Sequence, residues 1–314
     1  MYNNGFGGFS RPKLTRVNFT NNDAAYGGAM YNSGRNSGIS SPELNQVTFT
    51  DNNATADGGA MWNAGFDGGQ SRPELTDVLF SSNHAHRGGA MYNNDLSGNG
   101  TAQLSRVTFD GNSANTHGGA MYNDGFNGFS HPDLKNVTFH QNSAVDHGGA
   151  MYNNGDNGAS SPSLKHVTFS GNSANYGGAM FSTGGLSGVS SSTLDHVIMW
   201  GNQASTEGDD IYHEFSDATI NDSLIAGGCP ASGVGNNVCN NVINADPRLG
   251  PLADNGGFTQ TLKPGPGSAA VDAGQLNNCL AEDQRGQTRP NGPTCDLGAV
   301  EVDFSDVIFA DDFE

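Results

Sequence analysis

The 314-residue chain holds 46 glycines and only 34% apolar residues, well below a typical globular composition, so any core it builds is thin. Its 13 basic and 32 acidic residues leave a formal charge of −19, a surface unsuited to nucleic acid or an anionic membrane and suited to solubility, calcium or a cationic partner. Disorder is disfavoured too, because the few apolar side chains recur at fixed spacing, which a disordered chain has no reason to keep.

The chain opens with Met1-Tyr2-Asn3-Asn4-Gly5, which aligns with Met30-Tyr31-Asn32 and with Met151-Tyr152-Asn153-Asn154-Gly155. It therefore starts in mid-repeat. That start predicts further coils and a signal peptide upstream of Met1, and an N-terminal coil open to end-to-end self-association. Next, Leu14-x-x-Val17-x-Phe19-x-x-Asn22-x-Ala24 recurs in the coils carrying Phe49, Phe80, Phe109, Phe139 and Phe169, and more weakly as Leu194/Val197/Met199/Asn202/Ala204. In phase with it, Gly-Gly-Ala-Met begins at Gly27, Gly58, Gly88, Gly118, Gly148 and Gly177, in steps of 31, 30, 30, 30 and 29 residues, followed by the worn copy Gly208-Asp209-Asp210-Ile211. A fixed period of this length in a glycine-rich chain marks a stacked repeat.

Each unit reads as one coil of a parallel β-helix. Val17 and Phe19, two apart, share the inner face of a strand. Asn22 marks a bend, and Gly27-Gly28 a second corner free of Cβ atoms. Ala29 to Asn32 forms another strand, with Met30 inward and Tyr31 outward. Residues 33–42 are a variable loop or a short further side. Stacking in register predicts an interior file of phenylalanines from Phe19 to Phe169 and an amide ladder from Asn22 to Asn202. Ile220/Ser223/Ile225 keeps the strand spacing for an eighth, irregular coil.

From about Gly227 the period is lost and cysteine appears. The expected organisation is a repeat domain over 1–226, a C-terminal cap over 227–303 that closes the open end of the helix, and an acidic-aromatic tail over 304–314. Cys229, Cys239, Cys279 and Cys295 include no Cys-x-x-Cys pair, so two disulfides are expected rather than zinc, with Cys229–Cys239 and Cys279–Cys295 the favoured pairing of three possible. Disulfides imply an oxidising compartment.

The paired Gly-Gly-Ala-aliphatic and Phe-x-x-Asn motifs over residues 1–211 resemble the repeats of chlamydial polymorphic outer membrane proteins, although this chain places Met where that family usually has Ile, Leu or Val. The resemblance implies a right-handed parallel β-helix exposed at a cell surface, often for adhesion. Asp246-Pro247-Arg248-Leu249-Gly250, Pro266-Gly267-Ser268-Ala269-Ala270-Val271-Asp272-Ala273-Gly274, Asp283-Gln284-Arg285-Gly286 and Cys295-Asp296-Leu297-Gly298-Ala299-Val300-Glu301 are similar to the choice-of-anchor domain near the C-terminus of bacterial β-helix surface proteins. That resemblance brings no activity with it.

Candidate sites follow from the columns. Asp57, Asp110, Asp124, Asp146 and Asp156 are borne on coils, but none has an equivalent acid one coil away, so no catalytic residue is assigned. His117 with His147, and His166 with His196, share columns and raise a metal site; both columns otherwise vary as exposed positions do, so no metal or cofactor is assigned. The outward file Tyr31, Trp62, Tyr92, Tyr122 and Tyr152, continued by Phe181, is the best binding candidate. Its rings can dock a sugar face or an apolar partner, or serve only to stabilise the sheet by stacking, or lie beneath the variable loop. The sequence thus reads as an all-β, non-catalytic, exported surface rod without a transmembrane segment, presenting loops to a surface protein or glycan. The alternative is a carbohydrate-active β-helix enzyme, either a polysaccharide lyase or a glycoside hydrolase.

Overall fold

The computed structural model describes residues 1–230 and 233–303; the expected tail over 304–314 lies outside the described residues. The chain is a parallel β-solenoid whose equivalent residues pair rung on rung. Strands such as Glu43–Thr50, Glu74–Ser81 and Gln103–Asp110 form the Phe sheet. Asn53–Asp57, His84–Arg87 and their equivalents form the Ala sheet, and Met61–Ala64, Met91–Asn94 and theirs the Met sheet. The seven strands of the Ala sheet count seven full turns. The variable segment supplies a short fourth side, with two-residue strands such as Ile39–Ser40 and Gln70–Ser71.

Leu14 and Val17 lie three apart, which in a regular strand would send them to opposite faces. Both face inward because a left-handed residue intervenes: Arg16, Gln46, Asp77, Arg106, Asn136, His166 and His196 all have φ between 53° and 58°. Pairing skips this column, so Leu75 opposes Leu104 and Val78 opposes Val107 around Asp77 and Arg106. A bulge in every rung thus re-phases the strand and throws one long side chain outward. At the Gly-Gly corner the two glycines serve different ends. Gly27 takes φ of 54°, while a Cβ on Gly28 would lie 2.3 Å from the Gly59 carbonyl oxygen of the next rung.

Inside, the rings from Phe19 to Phe169 stack at 4.7 to 4.9 Å, within 5° of parallel. Beside them runs the amide ladder. Asn83 Nδ2 donates to Asn112 Oδ1 at 2.9 Å and to the Phe49 carbonyl at 3.0 Å, and the backbone N–H of Asn83 donates to the same Asn112 Oδ1 at 3.0 Å. The pattern repeats from Asn22 to Asn202, so each buried amide is satisfied by the rungs on either side. A second ladder, not foreseen from the sequence, joins Asn32, Asn63, Asn93, Asn123 and Asn153 through the Met sheet and ends on Ser182.

The first ladder has no Asn beyond Asn202, and Asn202 Nδ2 donates instead to Asp210 Oδ1 at 2.8 Å. Asp210 stands where every earlier rung has the Ala of Gly-Gly-Ala-Met. The worn motif is therefore the ladder's terminal acceptor. Burial lifts the Asp210 carboxyl to about 7.

The composition change at Gly227 reads as closure of the open end. In the structure one more parallel strand, Asn237–Ile243, is laid on Asp217–Ile225 and tied by Cys229–Cys239, with Cα atoms 5.9 Å apart. Residues 244–303 then turn back as a strap along the outer face of the Phe sheet. Gln284 Nε2 donates to Thr108 Oγ1 at 2.7 Å, and Thr138 Oγ1 donates to Gln284 Oε1 at 2.6 Å. Asn136 Nδ2 donates to the Glu282 carbonyl at 2.8 Å, and Ala299 N–H to Thr168 Oγ1 at 3.0 Å. Leu297 and Ala270 pack on Ile198 and Leu224. The strap's own interior is ionic, with Arg289 and Glu301 buried and paired at 3.2 Å, and Cys279–Cys295 crosslinks it with Cα atoms 6.0 Å apart. Among the described residues no helix is long and apolar enough to cross a membrane.

Three outcomes follow. Asn112→Ala strands the amide and N–H of Asn83 and costs about 3–5 kcal/mol in a denaturant melt, whereas Asn22→Ala, half-buried at the first rung, costs about 1 kcal/mol; equal losses would contradict the ladder. The Asp210 carboxyl titrates at about 7 in the native chain and near 4 when unfolded, so its contribution to stability is greatest below about pH 4 and is lost as the pH rises toward 7. Asp210→Asn keeps an acceptor for Asn202 and should melt above the parent at pH 8, by about 1–3 kcal/mol, with the gap closing toward pH 4; a pH-independent gap would contradict the assignment. Arg289→Ala leaves Glu301 buried without its cation, at a cost of about 3–5 kcal/mol to the strap. Limited proteolysis should then cut within residues 244–303 while the repeats survive, and an unchanged digestion pattern would count against the strap.

Candidate functional site: the aromatic face

The pleat of the Met sheet sends every Met inward and every following aromatic outward. Tyr31 and Trp62 meet at a tilt with centroids 4.3 Å apart, and stacking runs through Tyr92–Tyr122 at 4.6 Å, Tyr122–Tyr152 at 4.7 Å, Tyr152–Phe181 at 5.2 Å and Phe181–Tyr212 at 5.4 Å. The predicted file therefore exists, but most of it is not open to a ligand. Trp62, Tyr92, Tyr122 and Phe181 are 4%, 1%, 4% and 2% exposed, while Tyr31 and Tyr152 are half-buried.

The cover is the neighbouring column, which sits just before Gly-Gly. Arg87 lies over the rings of Tyr92 and Tyr122 at 5.0 and 5.4 Å, held by a bidentate pair to Asp57 at 2.9 Å. His117 stacks on Tyr152 at 4.8 Å, while His147 meets Phe181 at 4.5 Å and Tyr26 meets Trp62 at 5.4 Å in tilted contacts. Arg87, His117, His147 and Tyr26 each lean onto a ring of their own or the next rung. Tyr92 and Tyr122, stacked on each other and covered by Arg87, thus leave no ring face for a sugar, and Trp62 is walled in by tilted or edge contacts with Tyr26, Tyr31 and Phe66.

Two acids break the uniformity of this side. Asp95 occupies a column otherwise filled by Gly34, Gly65, Gly125 and Gly155, and in the same coil Gly100 replaces the serine seen at Ser71, Ser130 and Ser160. The exchange is coupled in space: a Cβ on Gly100 would lie 1.9 Å from Asp95 Oδ1, so the carboxyl fills the missing serine's place and bonds Ser130. The short fourth sheet divides into two three-stranded pieces at this coil. Nearby, Tyr92 Oη donates to Asp124 Oδ2 at 2.7 Å and Asn154 Nδ2 to Asp124 Oδ1 at 3.0 Å. Burial raises both carboxyls above their ordinary value, Asp95 the more strongly, and lifts the Tyr92 and Tyr122 phenols. Asp95 escaped the sequence reading, which tracked acids within columns rather than a paired exchange between two columns.

The other coil-borne acids also have partners. Asp57 is paired with Arg87, Asp110 Oδ1 lies 2.7 Å from His140 Nδ1, and Thr183 Oγ1 donates to Asp156 at 3.2 Å; the charge of Asp146 acts on His117 and His147. Those two histidines meet Nδ1 to Nδ1 at 3.1 Å. Burial and its neighbour His147 depress His117 to about 4, and burial depresses His147 as well. Among the described residues no group of three or more His, Cys, Asp or Glu is placed to hold a metal ion.

The second histidine pair requires a correction. His166 and His196 do not sit at exposed positions; both are 0% exposed and stack 4.6 Å apart beneath the strap. Arg289 Nη1 meets His166 Nδ1 at 2.9 Å, and Gln275 N–H donates to His196 Nε2 at 2.8 Å. Column variation cannot reveal a cover supplied by a non-repeating segment.

The face opens where Tyr176 takes the column position. His147, Tyr176, Phe181, Tyr212 and Glu214 line a cavity of about 250 Å³. A larger, mainly apolar cavity of about 460 Å³ lies in the strap, between Gly250, Pro251, Pro264, Pro266 and Val302.

Comparison with known proteins yields one local likeness: residues 106–124, spanning a Phe-x-x-Asn strand and the following Gly-Gly-Ala-Met corner, match the Chlamydia polymorphic membrane protein (Chlamydia_PMP) repeat. No curated protein and no solved structure matches the chain. The chain is thus a parallel β-solenoid, one stretch of which is similar to the repeat of the Chlamydia polymorphic membrane proteins.

Proposed function

We propose that this chain is a non-catalytic, exported surface rod that holds a lateral face toward a protein or glycan partner. The observation that carries this reading is the match of residues 106–124 to the polymorphic membrane protein repeat, lying within a seven-turn ladder that repeats the same motif on either side. Two cysteine pairs at bonding distance in the C-terminal region suit an oxidising location. Partnering of the coil-borne acids within the sheets suits a structural role for them, and interaction is assigned to the flank.

Two measurements test the reading. Protease treatment of intact cells producing the chain should release peptides from residues 1–303, and their complete protection until lysis would contradict surface display. Incubation of the purified chain with a polysaccharide panel should release no new reducing ends or unsaturated sugars. Turnover would install the lyase or hydrolase reading instead, with the Asp95–Asp124 region the first place to mutate.

A further inference from the structure

The aromatic face contains its own template for a cation site. At Arg87 a guanidinium lies over two successive rings of the Met-sheet file, Tyr92 at 5.0 Å and Tyr122 at 5.4 Å, with the Asp57 carboxylate one rung away. A second arginine, Arg35, covers Phe66 at 5.1 Å. Wherever this face presents rings beside an arginine, the chain's own cation takes the ring face.

The cavity at the far end of the file repeats the arrangement with different residues. Phe181 and Tyr212 are the two successive file rings, and Tyr176 stands in the column position that Arg87 holds three rungs earlier. Four rings close a circuit: His147–Tyr176 at 5.5 Å, Tyr176–Tyr212 at 5.2 Å, Tyr212–Phe181 at 5.4 Å and Phe181–His147 at 4.5 Å. Glu214, exposed at the rim, supplies the carboxylate, and the lining contains no Lys or Arg. The charges of Glu207 and Glu214 both act on the Tyr212 phenol, and those of Asp146 and Glu214 on His147. The field over the rings is therefore negative, on a chain whose net charge is −19.

We propose that this cavity binds an arginine side chain of a partner protein, its guanidinium laid against the half-buried rings of Tyr176 and Tyr212, with Phe181 and His147 as the inner wall, and paired with Glu214. The chemistry is specific in three respects. A planar guanidinium stacks on aromatic faces and meets a carboxylate with two parallel donors, which an ammonium does not. A volume of about 250 Å³ suits the end of one side chain better than a drug-sized ligand. A neutral sugar gains nothing from the negative field, and an anionic sugar is repelled by it. The inference rests on the surface-rod reading and names the partner's chemistry at the accessible end of the face. His147 is neutral near pH 7, its ring held below the ordinary histidine value by burial, so it serves as a wall rather than a competing charge.

The test is a titration of the full chain, followed by NMR of its aromatic resonances, with acetyl-Gly-Arg-Gly-amide and with the citrulline peptide of the same shape. The arginine peptide should bind saturably in the millimolar range, the citrulline peptide at least about tenfold more weakly, and added salt should weaken the arginine complex. Glu214→Gln, an exposed position that leaves the fold intact, should lower affinity about fivefold. Tyr212→Leu should abolish ring shifts at the cavity while leaving those of Tyr92 and Tyr122 unchanged. Equal binding of the two peptides, indifference to Glu214→Gln, or saturable binding of a neutral oligosaccharide at these rings in place of the peptide would overturn the proposal. So would the absence of saturation by about 20 mM arginine peptide. Failure here leaves the surface-rod reading to be judged by the intact-cell experiment, which does not depend on this cavity.

Discussion

A buried side-chain amide has two donors and an acceptor to satisfy, and away from water an unmet group costs more than a made bond returns. The Asn22–Asn202 column meets that demand only if the rungs above and below are identical in backbone and offset by one strand spacing. Each Asn Oδ1 receives the amide and the N–H of the rung before it, and each Nδ2 reaches both neighbours. Register is thereby fixed by polar geometry, and the phenylalanine stack follows that register. The same demand explains why the motif departs from its consensus at the last regular corner. With no further Asn to receive Asn202, an alanine position becomes Asp210 and closes the column with a carboxyl.

The outer surfaces obey a different logic. The bulge that turns Leu and Val inward throws one side chain outward on every rung, and along rungs four to seven those side chains, with the threonines beside them, are the docking points of the strap. On the opposite side, the column before Gly-Gly folds down over the aromatic file and buries it. A ladder that looks uniform in sequence therefore carries one flank closed by its own C-terminal segment and another closed by its own side chains. The second remains open at the cavity between His147, Tyr176 and Tyr212.

Much of this was legible in the residues alone. The period located the coils, the spacing of Val17 and Phe19 gave the inner face, and Asn22 and Gly27-Gly28 marked corners, because each depends on contacts with a copy of itself one repeat away. What was not legible depends on contacts between unlike parts. The left-handed position at Arg16 and its equivalents tolerates Arg, Gln, Asp, Asn and His, so residue type does not disclose it. The burial of His166 and His196 comes from Arg289, Gln275 and Gly298 in a segment with no period to align. The covering of Trp62, Tyr92 and Tyr122 comes from a diagonal lean between two columns, whereas sequence spacing reports only neighbours within one. The paired exchange at Asp95 and Gly100 was visible in principle, but only by reading two columns together.

Native-state hydrogen exchange resolved by residue tests the central claim most directly, because a ladder held by its neighbours opens from its ends. The account predicts that the amides of Phe49, Phe80, Phe109, Phe139 and Phe169 share one high protection level, that Phe19 at the first rung exchanges faster, and that Asn112→Ala lowers protection in the rungs on both sides of the substitution. Protection that changed only within the mutated rung, or that divided residues 1–226 into independently opening blocks, would contradict it.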